Sequence, residues 1–125
     1  MPARYFSVEE ANNLLVEIEP LMAELLARRA RVVRLHQQAG PLRDDLHIDF
    51  GGPLATELAL DFNRIEQLLD RIQSYGCVVK DMNVGLLDFL SERDGREVYL
   101  CWRYGEPRIE YYHELHTGFG GRRHV

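Results

Sequence analysis

The side chains in this sequence that could do chemistry gather in its last third. His113-Glu114-Leu115-His116 sets two imidazoles around a carboxylate, with Asp88 and Glu106 in neighbouring segments. Imidazole and carboxylate are donors that a divalent metal takes. The spacing is not that of a helical zinc motif, which needs histidines four apart on one helix face. In a strand, His113 and His116 point to opposite faces, so they converge on one ion only if the strand ends at Glu114 and turns. A hydrogen-bonded structural histidine is the plainer reading of His113. Glu97 and Glu114 form a second pattern, a carboxylate pair of the kind that general acid–base catalysis uses. Cys101 falls, in the register below, between Asp88 and Glu110. Those negative neighbours raise its pKa and make it a poor nucleophile. No serine–histidine–acid order stands out, so the sequence argues for no particular enzyme.

These groups must be placed by 125 residues, about one domain's worth of chain. Apolar residues make up 46% and charged residues 28%, enough apolar content for a packed core without disulfides or a structural metal. The net charge of −5 argues against a general nucleic-acid or acidic-membrane binder. Cys77 and Cys101 form no C-x-x-C pair, which excludes a zinc knuckle or thioredoxin motif and fits a reducing compartment. The first eight residues lack a basic start followed by an apolar core, and no apolar run nears the ~20 residues that cross a bilayer. The expectation is a cytoplasmic protein without membrane contact.

Residues 6–75 read as a helical hairpin. Ser7-Val8-Glu9-Glu10 is a capping box, with Phe6 at the staple position before it. The helical pattern then runs to about Ala39, where Gly40-Pro41 should end it, and Pro20 should kink or split it. Two apolar stripes, one through Ala11, Ile18 and Leu25 and one through Leu15, Met22 and Leu26, imply contact with two elements. A loop follows, in which Leu46, Ile48 and Phe50 alternate. A second helix is expected from 53 to 75, closed by Gly76. Each helix carries one charge in its seam, Arg28 and Asp61, at similar height once the helices fold back on each other. That height predicts an ion pair between them, which would set register more than add stability, although the plainer reading is that the Arg28 stem reaches to water and Asp61 faces solvent. Arg28, Arg29, Arg31 and Arg34 read as a solvated face rather than a nucleic-acid patch.

Residues 76–117 read as a three-stranded antiparallel meander over 86–90, 96–103 and 108–115, and 118–125 as a flexible tail anchored by Phe119. The turn at Asp94-Gly95 sets Phe89 opposite Leu100 and Leu87 opposite Trp102. The turn at Gly105-Glu106 sets Trp102 opposite Ile109, Leu100 opposite Tyr111 and Val98 opposite His113. His113 then points at the core. Glu97 falls opposite Glu114, and like charges in that position ask for a cation or a different register. Leu90, Tyr99 and Tyr112 would lie uncovered on the other face, which a homodimer would cover.

Several short pieces occur in order that resemble a bacterial family known only as domain of unknown function 2203. They are Gly76-Cys77-Val78-Val79-Lys80-Asp81, Gly85-Leu86-Leu87-Asp88-Phe89, Gly95-Arg96-Glu97-Val98, and Leu100-Cys101-Trp102-Arg103 with Gly105-Glu106. Tyr112-His113-Glu114, Gly118-Phe119 and Gly121-Arg122 complete the set, and residues 6–12 are similar too. The resemblance implies no activity, substrate or cofactor. Leu90 stands where that family usually has proline, so the strand is expected to run on.

Together these readings predict an α+β fold, a long antiparallel helical hairpin packed on a small three-stranded antiparallel sheet. The expected role is a homodimeric interaction or structural module without a cofactor. The alternative is a metal- or small-ligand-binding protein, or an enzyme, with Asp88, Glu106, His113, Glu114 and His116 as candidate ligands.

Overall fold

The computed structural model describes residues 4–43 and 52–125. Helix α1 spans Val8–Arg43. Its start is the expected capping box: Glu10 N–H donates to Ser7 Oγ at 3.0 Å and Ser7 N–H to Glu10 Oε1 at 2.9 Å. The helix continues through Pro20 and also past Gly40-Pro41, where the sequence suggested a stop. Pro20 lies on the exposed side, where water can take the carbonyl that a proline leaves unbonded. Pro41 stands only two residues from the end, where little of the hydrogen-bond ladder remains to be lost. The expected loop with Leu46, Ile48 and Phe50 lies outside the described residues. Helix α2 spans Pro53–Ser74, with proline in its first turn. Gly76 follows at φ +104°, and a Cβ there would come within 2.7 Å of the Phe6 ring, so both conformation and space call for glycine.

A ladder of ion pairs joins the helices. Glu24 accepts from Arg64 at 2.7 and 2.8 Å, Arg28 donates to Asp61 at 2.9 Å, and Arg31 donates to Asp61 at 2.7 Å. Partner numbers rise along α1 as they fall along α2, so the helices pass in opposite directions. Asp61 is the one buried member, shared between two guanidiniums. Burial pushes its carboxyl up, but the two arginines together bring it below its usual value. Arg64, then Arg28, hold Glu24 down at about 2.

The sheet has five strands, not three: β1 Val78–Asp81, β2 Leu86–Arg93, β3 Arg96–Arg103, β4 Tyr111–Glu114 and β5 Arg123–His124, antiparallel and in sequence order. The additional strands come from the short Val78-Val79 run and from the segment read as a tail. Short strands at sheet edges carry too few alternating residues to show a period. Strand β2 does run on through Leu90.

The β2–β3 register is the expected one, with Phe89 opposite Leu100 and Leu87 opposite Trp102. The β3–β4 register differs by one residue: Leu100 faces Tyr112, Tyr99 faces His113 and Val98 faces Glu114. The cause is the connection. Ile109 does not pair with Trp102; its N–H donates to Asn12 Oδ1 of α1 at 2.7 Å and its carbonyl accepts from Asn12 Nδ2 at 3.3 Å. The Trp102 indole N–H donates instead to the Glu106 carbonyl at 3.0 Å. The link is therefore longer than a two-residue hairpin. The clash of Glu97 with Glu114 disappears, because Glu114 pairs with Arg96 at 3.0 Å and Glu97 accepts from the Tyr5 hydroxyl at 3.2 Å.

One face of the sheet packs Leu87, Phe89, Val98, Leu100, Trp102 and Tyr112 in a core with Ala11, Ile18, Met22 and Leu25 of α1 and Leu68 and Ile72 of α2. Both predicted stripes of α1 are represented there. Burial of these side chains is the main favourable term, roughly 1.5–3 kcal/mol for each large one.

The ladder makes stability pH-dependent. Glu24 and Asp61 have folded pKa values below their unfolded ones, so their contribution is complete above the unfolded values and is lost as pH falls through the folded ones. Thermal melts should show the ladder's contribution intact at pH 6 and shrinking from about 4.5 toward about 2. A Glu24→Gln, Asp61→Asn double variant should show a flatter acid limb.

Candidate metal centre

Antiparallel neighbours place alternate residues of adjacent strands on one face. On the face away from the helices, Asp88 of β2 lies opposite Cys101 of β3, and Cys101 opposite Tyr111 of β4. In the next row Leu90 faces Tyr99, and Tyr99 faces His113. The one-residue difference in the β4 register thus moves His113 off the core face and brings it diagonally beside Asp88. His113 Nε2 and Asp88 Oδ2 stand 2.9 Å apart. One donor atom each from Asp88, Cys101 and His113 lies within 4.8 Å of the others, and all three residues are buried.

The proton inventory of this cluster is constrained. His113 Nδ1 is 2.7 Å from the Glu114 carbonyl, and a carbonyl can only accept, so Nδ1 carries a hydrogen. Nε2 and the Asp88 carboxyl must then share one proton, either as imidazolium with carboxylate or as imidazole with a carboxylic acid. Burial raises the Asp88 pKa, while His113 and the adjacent Cys101 thiol act in the other direction. The net direction for Asp88 is upward. Among the described residues no donor meets Asp88 Oδ1 in hydrogen-bonding geometry, although the atom is buried. An unsatisfied buried carboxylate oxygen is costly. Burial, and then the Asp88 charge, push the Cys101 thiol up to about 12. The thiol is therefore inert unless a cation displaces its proton.

Side chains roof the cluster. Lys80 Nζ lies 4.4 Å from the Tyr99 ring centre, and the Tyr99 and His113 rings are 5.6 Å apart. At the other end the Arg122 guanidinium sits between Tyr111 at 4.1 Å and Phe119 at 4.5 Å. These contacts leave Leu90 and Tyr99 half-buried within one chain, not fully exposed. Tyr112 lies in the core, where Arg93 stacks on it at 4.5 Å.

Of the candidate ligands read from sequence, Asp88 and His113 meet. Glu106 does not join them: both its oxygens take Arg122 Nη2, at 2.6 and 2.7 Å. Glu114 lends its carbonyl to His113 but its carboxylate to Arg96. His116 is exposed in the turn after β4. Glu110, expected beside Cys101, is replaced there by Tyr111 and pairs with Arg108 at 3.6 Å. Cys101 is the third member of the cluster, and reasoning from sequence did not offer it as a donor. Its signal was present in the β2–β3 register, which already placed it opposite Asp88.

The sequence profile of an uncharacterized conserved protein family, DUF2203, matches residues 4–125. The chain belongs to this family. No curated protein and no solved structure is matched by it. In this DUF2203 chain, Asp88, Cys101, Glu106, His113 and Arg122 all fall in the short pieces that carried the resemblance.

Asp88→Asn tests the proton inventory. A carboxamide can donate N–H to Nε2 without a shared proton or an ionisable buried group. The metal-free variant should unfold at the same temperature as the parent or a few degrees higher, whereas Asp88→Ala should be destabilised by about 1–3 kcal/mol. A large loss in the asparagine variant would show that the structure needs the carboxylate charge at Asp88.

Proposed function

We propose that this protein binds a divalent transition-metal ion of the zinc class through Asp88, Cys101 and His113. The observation that carries the reading is the unpartnered, buried Oδ1 of Asp88 beside an imidazole whose other nitrogen is fixed on a backbone carbonyl. Fixing one ring nitrogen on a carbonyl is how proteins orient a metal-binding histidine. A sulfur, nitrogen and oxygen donor set suits zinc. The ion would take the place of the proton between Asp88 and His113 and deprotonate Cys101, which removes the reason for the thiol's inertness. Three protein ligands leave one tetrahedral position for water or a further ligand.

Metal-free protein given one equivalent of zinc should retain one ion per chain through desalting, read by native mass spectrometry. Cys101→Ser and His113→Ala should each weaken binding by more than about 100-fold, and cobalt(II) should give a thiolate charge-transfer band that Cys101→Ser abolishes. Parent protein that takes up no zinc, or variants that bind as well as the parent, would overturn the proposal.

A second reading, a homodimer formed through the helices, is supported by a different feature. Val33, Phe62 and Met82 are exposed around a cavity of about 230 Å³ that Arg29, Val32 and Ile65 also line. Arg29 borders this patch and Glu66 lies one turn beyond Phe62, so opposite charges flank an apolar centre. A second copy turned by a two-fold axis would match that arrangement. Sedimentation should then give a dimer that Phe62→Glu converts to monomer; a monomeric parent would dismiss the reading. In the same proposal the two helices form one hairpin and the protein works in the cytoplasm. Buried, unpaired Cys77 and Cys101 fit a reducing compartment, and among the described residues no helix is long and apolar enough to cross a membrane.

A further inference from the structure

We infer that residues 118–124 are a gate over the Asp88–Cys101–His113 cluster, latched by Arg122 on Glu106, and that opening this gate controls access to Cys101. The inference rests on the metal reading for its purpose, since an ion must have a way in, but not for its geometry.

The segment is built as a separate flap. Gly118, at φ +73°, starts it. A tight turn at Phe119–Gly121 closes on itself, with Gly121 N–H donating to the Gly118 carbonyl at 3.0 Å and Arg122 N–H to the Phe119 carbonyl at 3.2 Å. The turn carries Phe119 across the face of the sheet to Leu86 and Arg103, where it borders a cavity of about 170 Å³. Beyond it, β5 pairs only two of its residues with β4, and Val125 N–H adds one bond to the Glu110 carbonyl at 3.0 Å. A segment held by so few bonds opens at a small fraction of the global unfolding free energy.

The strongest single tie is the latch. Glu106 is fixed on the β3–β4 connection, because its Oε1 also accepts the Arg103 backbone N–H at 2.7 Å. Arg122 belongs to the flap and reaches Glu106 through Nη2 alone, while its Nε is buried without a partner among the described residues. Closure therefore leaves one donor unsatisfied, and opening returns it to water. The same Nη2 lies 3.5 Å from the Cys101 backbone carbonyl, so the latch ties the flap to the residue that carries the thiol.

Cys77 provides an internal control. It is buried in the core with the helices, and its thiol donates to the Ile72 carbonyl at 3.3 Å, so the flap does not hold it. Metal-free protein should be alkylated with iodoacetamide and each cysteine followed by peptide mapping. Cys101 should react faster than Cys77 in the parent. Glu106→Gln and Phe119→Ala, which weaken the flap from opposite ends, should each raise the Cys101 rate about tenfold or more and leave Cys77 unchanged. Equal rates at both cysteines, or rates that rise together in the variants, would overturn the gate. Because no metal is used, the result is independent of whether zinc binds. If zinc does bind, its capture by a chelator should quicken in the same two variants.

Discussion

The structure depends on where β4 begins. Asn12 holds both backbone groups of Ile109, Trp102 takes the Glu106 carbonyl through its indole, and Pro107 has no N–H to offer a ladder. These satisfied bonds keep the segment after β3 from closing as a tight hairpin, and β4 enters the sheet one residue later than a two-residue turn would allow. Because side chains alternate, that one residue assigns every side chain of β4 to its face. Tyr112 joins the apolar core, and His113 arrives beside Asp88. A helix side chain near the N-terminus of α1 thereby sets the composition of a site on the opposite face of the sheet.

The two layers solve their electrostatics differently. Between the helices, one buried carboxylate is surrounded by guanidiniums whose remaining surface is wet, and it stays charged. On the far side of the sheet, another buried carboxylate faces an imidazole whose second nitrogen is already committed, and its own Oδ1 has no donor. The first arrangement is complete. In the second, Oδ1 is left without a donor among the described residues, so Asp88 is the place to look for chemistry and Asp61 is a device for aligning helices.

Much of the architecture was legible because periodicity is strong in long elements. The capping box, proline-first α2, the Gly76 stop and the β2–β3 register could all be read from local residue types. What escaped was non-local. Asn12 lies 97 positions from Ile109, and nothing around residue 109 announces that a helix will take its backbone groups. The sequence did hold a warning, since the hairpin register forced Glu97 against Glu114, and the observed register removes that conflict. The edge strands β1 and β5 are too short for a pattern to show. Cys101 was visible opposite Asp88, but its value as a ligand depended on His113 being on the same face.

The N-terminal segment has a further consequence. Beyond the end of β1 the edge of β2 is met by Phe6, whose N–H donates to the Leu90 carbonyl at 2.8 Å and whose carbonyl accepts from the Ser91 hydroxyl at 2.5 Å. An uncovered edge of this kind is a template for pairing with another chain. The cover and its partner lie 85 positions apart, so the edge stays open until a long loop has closed. Until then the exposed strand is a point of recruitment between unfinished chains, and the speed of this long loop closure sets how long the hazard lasts.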